Sequence, residues 1–180
     1  MTEIINLNDD SVESDQHLTF VLSDEEFAIP VITIREIIEY GHLTNVPMVP
    51  DFIQGVVNLR GNVVPVISIA TKFGLEVKPV DKRTCIIIMD AEIEGTSVVM
   101  GVVVDKVLQV IEIPDSCIEP APTLGARIRT DFIKGMGRLD DNFIIILDIV
   151  QVLSAEEIAL VHDIHKDTVL PNGADLTADS

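Results

Sequence analysis

The chain has 180 residues, and its 25 isoleucines and 23 valines far outnumber its nine alanines and 14 leucines. Because β-branched residues suit a pleated sheet better than a helix, this composition excludes an all-helical bundle. Thirty acidic residues against 12 lysines and arginines give a net charge of −18, which argues against binding to nucleic acid or to an anionic membrane surface.

The two ends of the chain differ in composition from its centre. Residues 1–17 contain acidic residues but no lysine or arginine, and residues 166–180 lack apolar periodicity. We expect both segments to be disordered tails and residues 18–162 to fold. The apolar run Val98–Val104 is too short to cross a bilayer, and the acidic start is unlike a signal peptide. We therefore expect a cytoplasmic protein without membrane insertion.

The folded part predicts short strands separated by turns. Apolar runs bounded by turn residues predict strands, in chain order, at Leu18–Leu22, Phe27–Ile29, twice within Gly55–Ile69, and at Cys85–Asp90, Val98–Val104, Val107–Ile113 and Phe143–Ile149. The pair within Gly55–Ile69 meets at a tight turn containing Gly61, since glycine tolerates positive φ. Short strands at this spacing indicate an all-β barrel or sandwich.

Helix is predicted in few places. Pro30 precedes Val31–Tyr40, whose apolar residues fit one helical face, although its β-branched residues suit a strand equally, so both remain possible. Ser154-Ala155-Glu156-Glu157 has a capping-box pattern and is followed by apolar residues at helical spacing. This pattern predicts a C-terminal helix over residues 154–165.

The second half of the chain repeats the first. Phe52–Ile69 aligns without a gap on Phe132–Ile149, with six identical residues. Ile34–Glu39 also resembles Val107–Glu112. The repeat predicts two related all-β units, each too small to bury a large core alone, which pack on each other.

The sequence contains no pattern typical of an enzyme, a metal site or a cofactor site. The serine-nucleophile elbow, the phosphate-binding loop and the dinucleotide-binding glycine motif are all missing from the sequence. His162 and His165 share a helical face, but no further metal ligand lies near them in the sequence. Cys85 and Cys117 are interpreted as buried apolar groups. We predict a non-enzymatic protein without a cofactor.

Two polar features point to a binding surface. Arg60 lies at the tip of the first repeat's hairpin, where the second repeat has Asp140. An exposed guanidinium suits carboxylates and carbonyls of a partner, although a solvated turn arginine is the simpler interpretation. The segment Ile34–Ile37 places Arg35 and Glu36 within an apolar run, as in a half-buried element with one wet side.

The signature of the CheW-like coupling proteins of bacterial chemotaxis resembles the run Pro50-Asp51-Phe52-Ile53-x-Gly55-Val56-x-Asn58-Leu59-Arg60-Gly61-x-x-Val64-Pro65-Val66-Ile67. The resemblance extends over about residues 18–157. It implies two SH3-like five-stranded β-barrels with a shared apolar interface, at about residues 18–78 and 83–153. It also implies a non-catalytic adaptor that couples the cytoplasmic tip of methyl-accepting chemoreceptors to the regulatory domain of the histidine kinase CheA, within membrane-associated receptor arrays.

The resemblance also implies which residues contact the partners. On the receptor side these are Arg60, Asn58, Gly55, Gly61 and Ile34, and on the kinase side Glu36 and Arg35. The family continues its signature with Asp-Leu-Arg where this chain has Ser68-Ile69-Ala70, so an ion pair in the first barrel is in doubt. Two alternatives remain: an adaptor of a non-swimming pathway such as twitching, and a small-molecule-binding β-barrel module.

Overall fold

The computed structural model describes residues 15–93, 95–120, 132–153 and 155–167. Most of the two expected tails lies outside the described residues. Within them, regular structure extends slightly further than expected at both ends, because the first strand begins at Gln16 and the last helix ends at Asp167.

The described residues form eleven strands, three helices and two 3₁₀ turns. The strands are β1 Gln16–Leu22, β2 Glu25–Pro30, β3 Ile34–Glu39, β4 Ile53–Leu59, β5 Asn62–Ser68, β6 Cys85–Ile93, β7 Thr96–Val104, β8 Lys106–Glu112, β9 Ile118–Glu119, β10 Ile133–Leu139 and β11 Asn142–Leu147. The helices are α1 Ile69–Phe73, α2 Ile149–Val152 and α3 Ala155–Asp167, and the 3₁₀ turns are Val31–Thr33 and Asp115–Cys117. The prediction of a mainly β fold with a few short helices is confirmed.

The ambiguous segment Val31–Tyr40 contains a strand. A single 3₁₀ turn follows Pro30, and β3 then pairs antiparallel with β6. The β-branched residues of this segment therefore pack on a pleated surface, as their stiff side chains favour. The structure thus decides between the two interpretations that the periodicity left open.

The strands form two curled sheets with the same internal order. The six-stranded sheet has the order β8-β1-β2-β11-β10-β9, and the five-stranded sheet has the order β3-β6-β7-β5-β4. In each sheet one parallel pair, β2 with β11 or β7 with β5, lies between antiparallel neighbours. Two-residue β9 gives one sheet a strand more than expected, and Thr44 forms the matching bridge to Val56 in the other.

Each repeat contributes its first hairpin to the sheet of the other repeat. The β1–β2 hairpin pairs with β8 and β11 from the second half, while the β6–β7 hairpin lies between β3 and β5 from the first half. The strand pairing therefore does not follow the expected boundary between residues 78 and 83. A repeated pattern identifies equivalent strands, but it does not tell which copy of a hairpin joins which sheet.

Side chains of the central strands alternate between two kinds of core. On β6, Ile87 and Met89 belong to a large apolar cluster, hereafter the shared core, to which both sheets contribute. Ile86 and Ile88 belong to a smaller cluster inside the five-stranded sheet, and Ile146 to a matching cluster inside the six-stranded sheet. Because both faces of these strands are buried, their sequences are continuous isoleucine and valine runs.

The helices close the shared core at one side. Helix α3 packs against β5 and β7, and its Glu157 forms an ion pair with Lys72 of α1. The ring of Phe73 stacks on that of Phe132, with 5.1 Å between centroids, and so joins the two repeats. None of the helices in the described part of the chain is long and apolar enough to cross a membrane.

Ser68 and Ala70, where the chain departs from the family signature, are both buried. The Ser68 hydroxyl accepts a hydrogen bond from the Thr71 amide at 3.2 Å and so caps α1. Asp148 occupies the equivalent position before α2. Because serine caps a helix about as well as aspartate, the departure leaves the start of the helix intact.

His17 occupies a core position that an isoleucine fills in the other sheet. On β1 it pairs with Ile111, just as Ile86 on β6 pairs with Ile38. Its Nδ1 lies 2.7 Å from the carbonyl oxygen of Asp15, and its buried Nε2 finds no partner in the described part of the chain. Burial lowers the pKa of His17, and Lys134 lowers it further, while Asp15 and Asp115 oppose the shift.

The exchanged hairpins predict that neither half of the chain folds alone. When the chain is divided after Pro79, the fragment 1–79 loses β6 and β7 from the middle of its sheet. In NMR spectra we expect the amide proton signals of each fragment alone to be poorly dispersed. The equimolar mixture should give the well-dispersed signals of the intact protein. The control is the folded full-length protein with a protease site inserted after Pro79. After cleavage at that site we expect its two pieces to stay associated. A cooperatively folded fragment 1–79 would contradict the exchange.

The lowered pKa of His17 predicts a stability that falls in mild acid. Below about pH 6.5 the unfolded chain binds a proton that the folded chain excludes, so the free energy of unfolding decreases by at most about 1.4 kcal/mol per pH unit. Urea unfolding at pH 7.5 and 5.5 measures this loss. It should shrink in His17→Ile, and His42→Asn, a change at an exposed histidine, is the matched control. An equal loss in all three proteins would contradict the assignment.

Candidate functional site

The hairpin between β4 and β5 presents an arginine at its tip. Arg60 and Gly61 have φ values of 52° and 89°, as in the type I′ turn that joins twisted strands tightly. The side-chain oxygen of Asn58 accepts a hydrogen bond from the Gly61 amide at 3.0 Å. Asn58 and Gly61 thus shape the turn, and the Arg60 side chain is 73% exposed.

Arg60 forms an ion pair across the open edges of the five-stranded sheet. Its Nη2 lies 2.5 Å from Oε2 of Glu36 on β3. Because β3 and β4 are the two outermost strands of this sheet, the pair joins opposite edges where the sheet curls. Glu36 is 28% exposed, and an exposed pair contributes at most about 1 kcal/mol, so its main effect is to position the two side chains.

A groove of about 580 Å³ opens beside this ion pair. Its apolar residues, Leu59, Val64, Ile88 and Val99, belong to or pack against the cluster inside the five-stranded sheet. Its charged residues include Arg60 and Glu36. The groove therefore combines an apolar base with charged walls, the composition that protein-binding surfaces use for both burial and orientation.

The far side of the groove carries a second pair of charges. Nε of Arg35 on β3 lies 3.8 Å from Oδ2 of Asp90 on β6, and the Ser97 hydroxyl donates to Oδ1 of Asp90 at 2.8 Å. All three residues line the groove. The groove thus presents two cations and two anions, which favours a partner with the opposite arrangement of charges.

The structure brings most of the expected contact residues together. Arg60, Glu36 and Arg35 line the groove, and Asn58 and Gly61 form the turn beside it. Asp90 and Ser97 carried no sequence signal, because they come from the second repeat and reach the groove through the exchanged β6–β7 hairpin.

Ile34 and Gly55, also expected at the receptor surface, lie in the interior instead. Ile34 is 5% exposed and belongs to the shared core. A Cβ atom added to Gly55 would lie 2.6 Å from the carbonyl oxygen of Thr44, whose segment crosses close to β4. Neither residue therefore forms part of the exposed surface.

The equivalent turn of the six-stranded sheet carries a different charge pattern. Asp140 stands where the first repeat has Arg60, and it too has a positive φ of 54°. Arg138 instead pairs with Glu119 of neighbouring β9, with Nε 2.9 Å from Oε2. The duplicated fold therefore presents the arginine-tipped groove on one of its two copies.

The described residues offer little reactive chemistry. Burial raises the pKa of the Cys85 thiol, with a further contribution from Glu39, so the thiolate is disfavoured. Within residues 15–93, 95–120, 132–153 and 155–167, no three side chains of the metal-ligating types cluster.

The tight approach at Gly55 predicts a costly substitution. Gly55→Ala must displace the Thr44 carbonyl and hold a side chain at φ 152°, so we expect a loss of about 2 kcal/mol or more in the free energy of unfolding. Gly41→Ala is the matched control, since a Cβ there meets no atom within 4 Å. Chemical denaturation compares the two variants, and equal stabilities would contradict a structural role for Gly55.

Comparison with known proteins agrees with this architecture. The family model described as "CheW-like domain" matches residues 16–157. The chemotaxis protein CheW of Klebsiella aerogenes is 37% identical over 151 residues, which cover 84% of this chain and 89% of that protein. The chemotaxis protein CheW of Helicobacter pylori is 33% identical over 149 residues, which cover 82% and 87%.

A solved structure supports the same relationship. The scaffolding protein TtCheW from Thermoanaerobacter tengcongensis superposes with a TM-score of 0.71 at 32% identity, over 81% of this chain and 91% of that chain. The family indicated by the Asn58–Gly61 turn and the duplicated β units is confirmed, and the chain belongs to the CheW-like domain family.

Proposed function

We propose that this protein is a non-catalytic adaptor that couples chemoreceptors to a histidine kinase. Its relatives are named chemotaxis proteins CheW, and the matching structure is named a scaffolding protein. As a member of this family, the chain is an adaptor of chemotaxis signal transduction. The proposal extends this role to the partners: the cytoplasmic tip of methyl-accepting chemoreceptors and the regulatory domain of a CheA-type kinase.

The observation that carries the proposal is the charged groove around Arg60. Its guanidinium is largely exposed, it lies on a tight turn, and within the groove it pairs with the carboxylate of Glu36. Such a planar, forked donor recognises carboxylates or carbonyls of a partner with defined geometry. We assign the receptor contact to Arg60 with its turn residues Asn58 and Gly61, and the kinase contact to Glu36 and Arg35.

The two proposed contacts adjoin each other in one groove. Arg60 and Glu36 are bonded directly, so a partner that binds one side chain alters the environment of the other. An adaptor with adjoining contacts raises the effective concentration of kinase and receptor for each other. It biases the kinase between its active and inactive arrangements only if it binds one of them more tightly. We place this assembly in the cytoplasm, at membrane-associated receptor arrays.

Neither alternative function is favoured. An adaptor of a twitching pathway would have the same fold, but the relatives at 37% and 33% identity are named for chemotaxis. A small-molecule-binding module would need a largely enclosed pocket with few polar groups, whereas this groove contains four charged side chains.

Direct binding measurements test the adaptor role. The purified protein is titrated with the regulatory domain of a CheA-type kinase and, separately, with a soluble receptor-tip fragment. We expect dissociation constants no weaker than tens of micromolar, about −6 kcal/mol. Failure to bind either partner at these concentrations would refute the proposal, and thermal stabilisation by a metabolite in the same sample would favour the small-molecule alternative.

Reversing the charge of Arg60 tests the receptor contact. We expect Arg60→Asp to lower the free energy of unfolding by no more than about 1 kcal/mol, because the side chain is exposed and its ion pair with Glu36 is worth no more than that. Receptor affinity should fall about tenfold or more, since a carboxylate would replace the guanidinium. The measurement is isothermal titration against the receptor-tip fragment.

Arg83→Asp is the matched control for this variant. Arg83 is also exposed and also forms an ion pair, with Asp81, but it precedes β6 at the end remote from Asp90. Receptor affinity should be unchanged in this control. Equal affinities of the two folded variants would show that Arg60 is only a solvated turn residue.

A further inference from the structure

One methionine lies at the tip of a well-anchored loop. The segment between β3 and β4 is fixed on one side by Thr44, whose amide donates to the Val56 carbonyl at 3.0 Å and whose carbonyl accepts from the Val56 amide at 2.8 Å. On the other side Val49 packs against the shared core. Between these anchors the Met48 side chain is fully exposed.

The backbone at Met48 is also unusual. Its φ of 63° lies in the left-handed region, where a side chain other than glycine is uncommon. A side chain other than glycine stays in this region only where the surrounding structure holds the backbone in place. Here the anchors on either side of Met48 do so. The exposure of Met48 is therefore a property of the folded loop and not of a loose segment.

The other methionines of the described residues are shielded from solvent to different extents. Met89 and Met100 are each 1% exposed and belong to the shared core. Met136 is partly buried against the same core. Among the methionines that the structure describes, oxidants dissolved in water therefore have full access to the thioether of Met48 and meet those of Met89 and Met100 only when the sheets separate.

We propose that Met48 is a site of reversible oxidation by peroxides. The thioether sulfur attacks one oxygen of hydrogen peroxide, an S–O bond forms as the O–O bond breaks, and the departing hydroxide takes the remaining proton to give water. Sulfur loses two electrons and the peroxide gains them. In reverse, two thiols of a methionine sulfoxide reductase supply two electrons and two protons, and release water and a disulfide.

The modification changes the surface without changing the fold. The Met48 side chain is fully exposed, so its conversion to the more polar sulfoxide costs no buried apolar area. Oxidation of Met89 or Met100 would instead place a polar group in the shared core. The loop tip would change from apolar to polar while both anchors persist. This inference is independent of the adaptor role, because it rests on accessibility alone.

Peptide mapping after timed exposure to hydrogen peroxide tests the proposal on the full chain. Trypsin separates the sites, because Met48 falls in the peptide 36–60, Met89 and Met100 in 84–106, and Met136 in 135–138. We expect the peptide 36–60 to gain one oxygen at least about tenfold faster than 84–106 gains methionine sulfoxide, located by fragmentation. The once-oxidised protein should keep its Tm, and reductase with a dithiol should restore its mass.

Two variants sharpen the test. Met48→Leu should abolish the fast gain of oxygen by the peptide 36–60. Met100→Leu should leave the rate of that gain unchanged. Equal rates at Met48 and at the core methionines, a lowered Tm after the first oxidation, or a sulfoxide that the reductase cannot reduce would each overturn the proposal.

Discussion

The structure depends on the apolar core that the two curled sheets share. Its members come from both repeats and from both sheets, so neither sheet can complete its own burial. The exchanged hairpins strengthen this dependence, because β6 and β7 are central in the sheet of the first repeat. Each isoleucine buried in this way contributes about 1.5–3 kcal/mol, which is large against the net stability of a domain.

The charged groove is a consequence of the same exchange. Arg35, Glu36 and Arg60 come from the first repeat, whereas Asp90 and Ser97 arrive on the hairpin of the second. The apolar base of the groove belongs to the cluster inside the five-stranded sheet. A rigid sheet thus holds exposed charges in fixed positions, which is what an adaptor needs in order to bind without rearrangement.

The two copies of the fold have diverged where function or burial differs. In the six-stranded sheet, Thr19 bonds both the amide and the carbonyl of Gln109 at the register shift of β1, and His17 replaces a core isoleucine. At the hairpin tips, Asp140 stands in place of Arg60. The repeat therefore preserves backbone geometry, whereas these polar side chains are particular to one copy.

Much of the fold was visible in the sequence because its signals are local. Apolar runs marked the strands, the Arg60-Gly61 turn marked a hairpin, and the match of Phe52–Ile69 to Phe132–Ile149 showed the duplication. The first two patterns depend on neighbours within a few residues, and the third on a comparison of two stretches of sequence, so none of them requires knowledge of which strands pair.

The tertiary structure alone decided how the copies combine. The parallel pairing of β2 with β11 joins strands from opposite ends of the chain, and it sets the sheet in which each hairpin lies. In the other sheet, the pairing of β3 with β6 placed Asp90 next to Arg35, and the packing of the two sheets on each other put Ile34 in the shared core. Periodicity specifies which face of a strand is apolar, whereas the identity of its neighbour follows from the packing of the whole chain, and the charged groove follows from that packing.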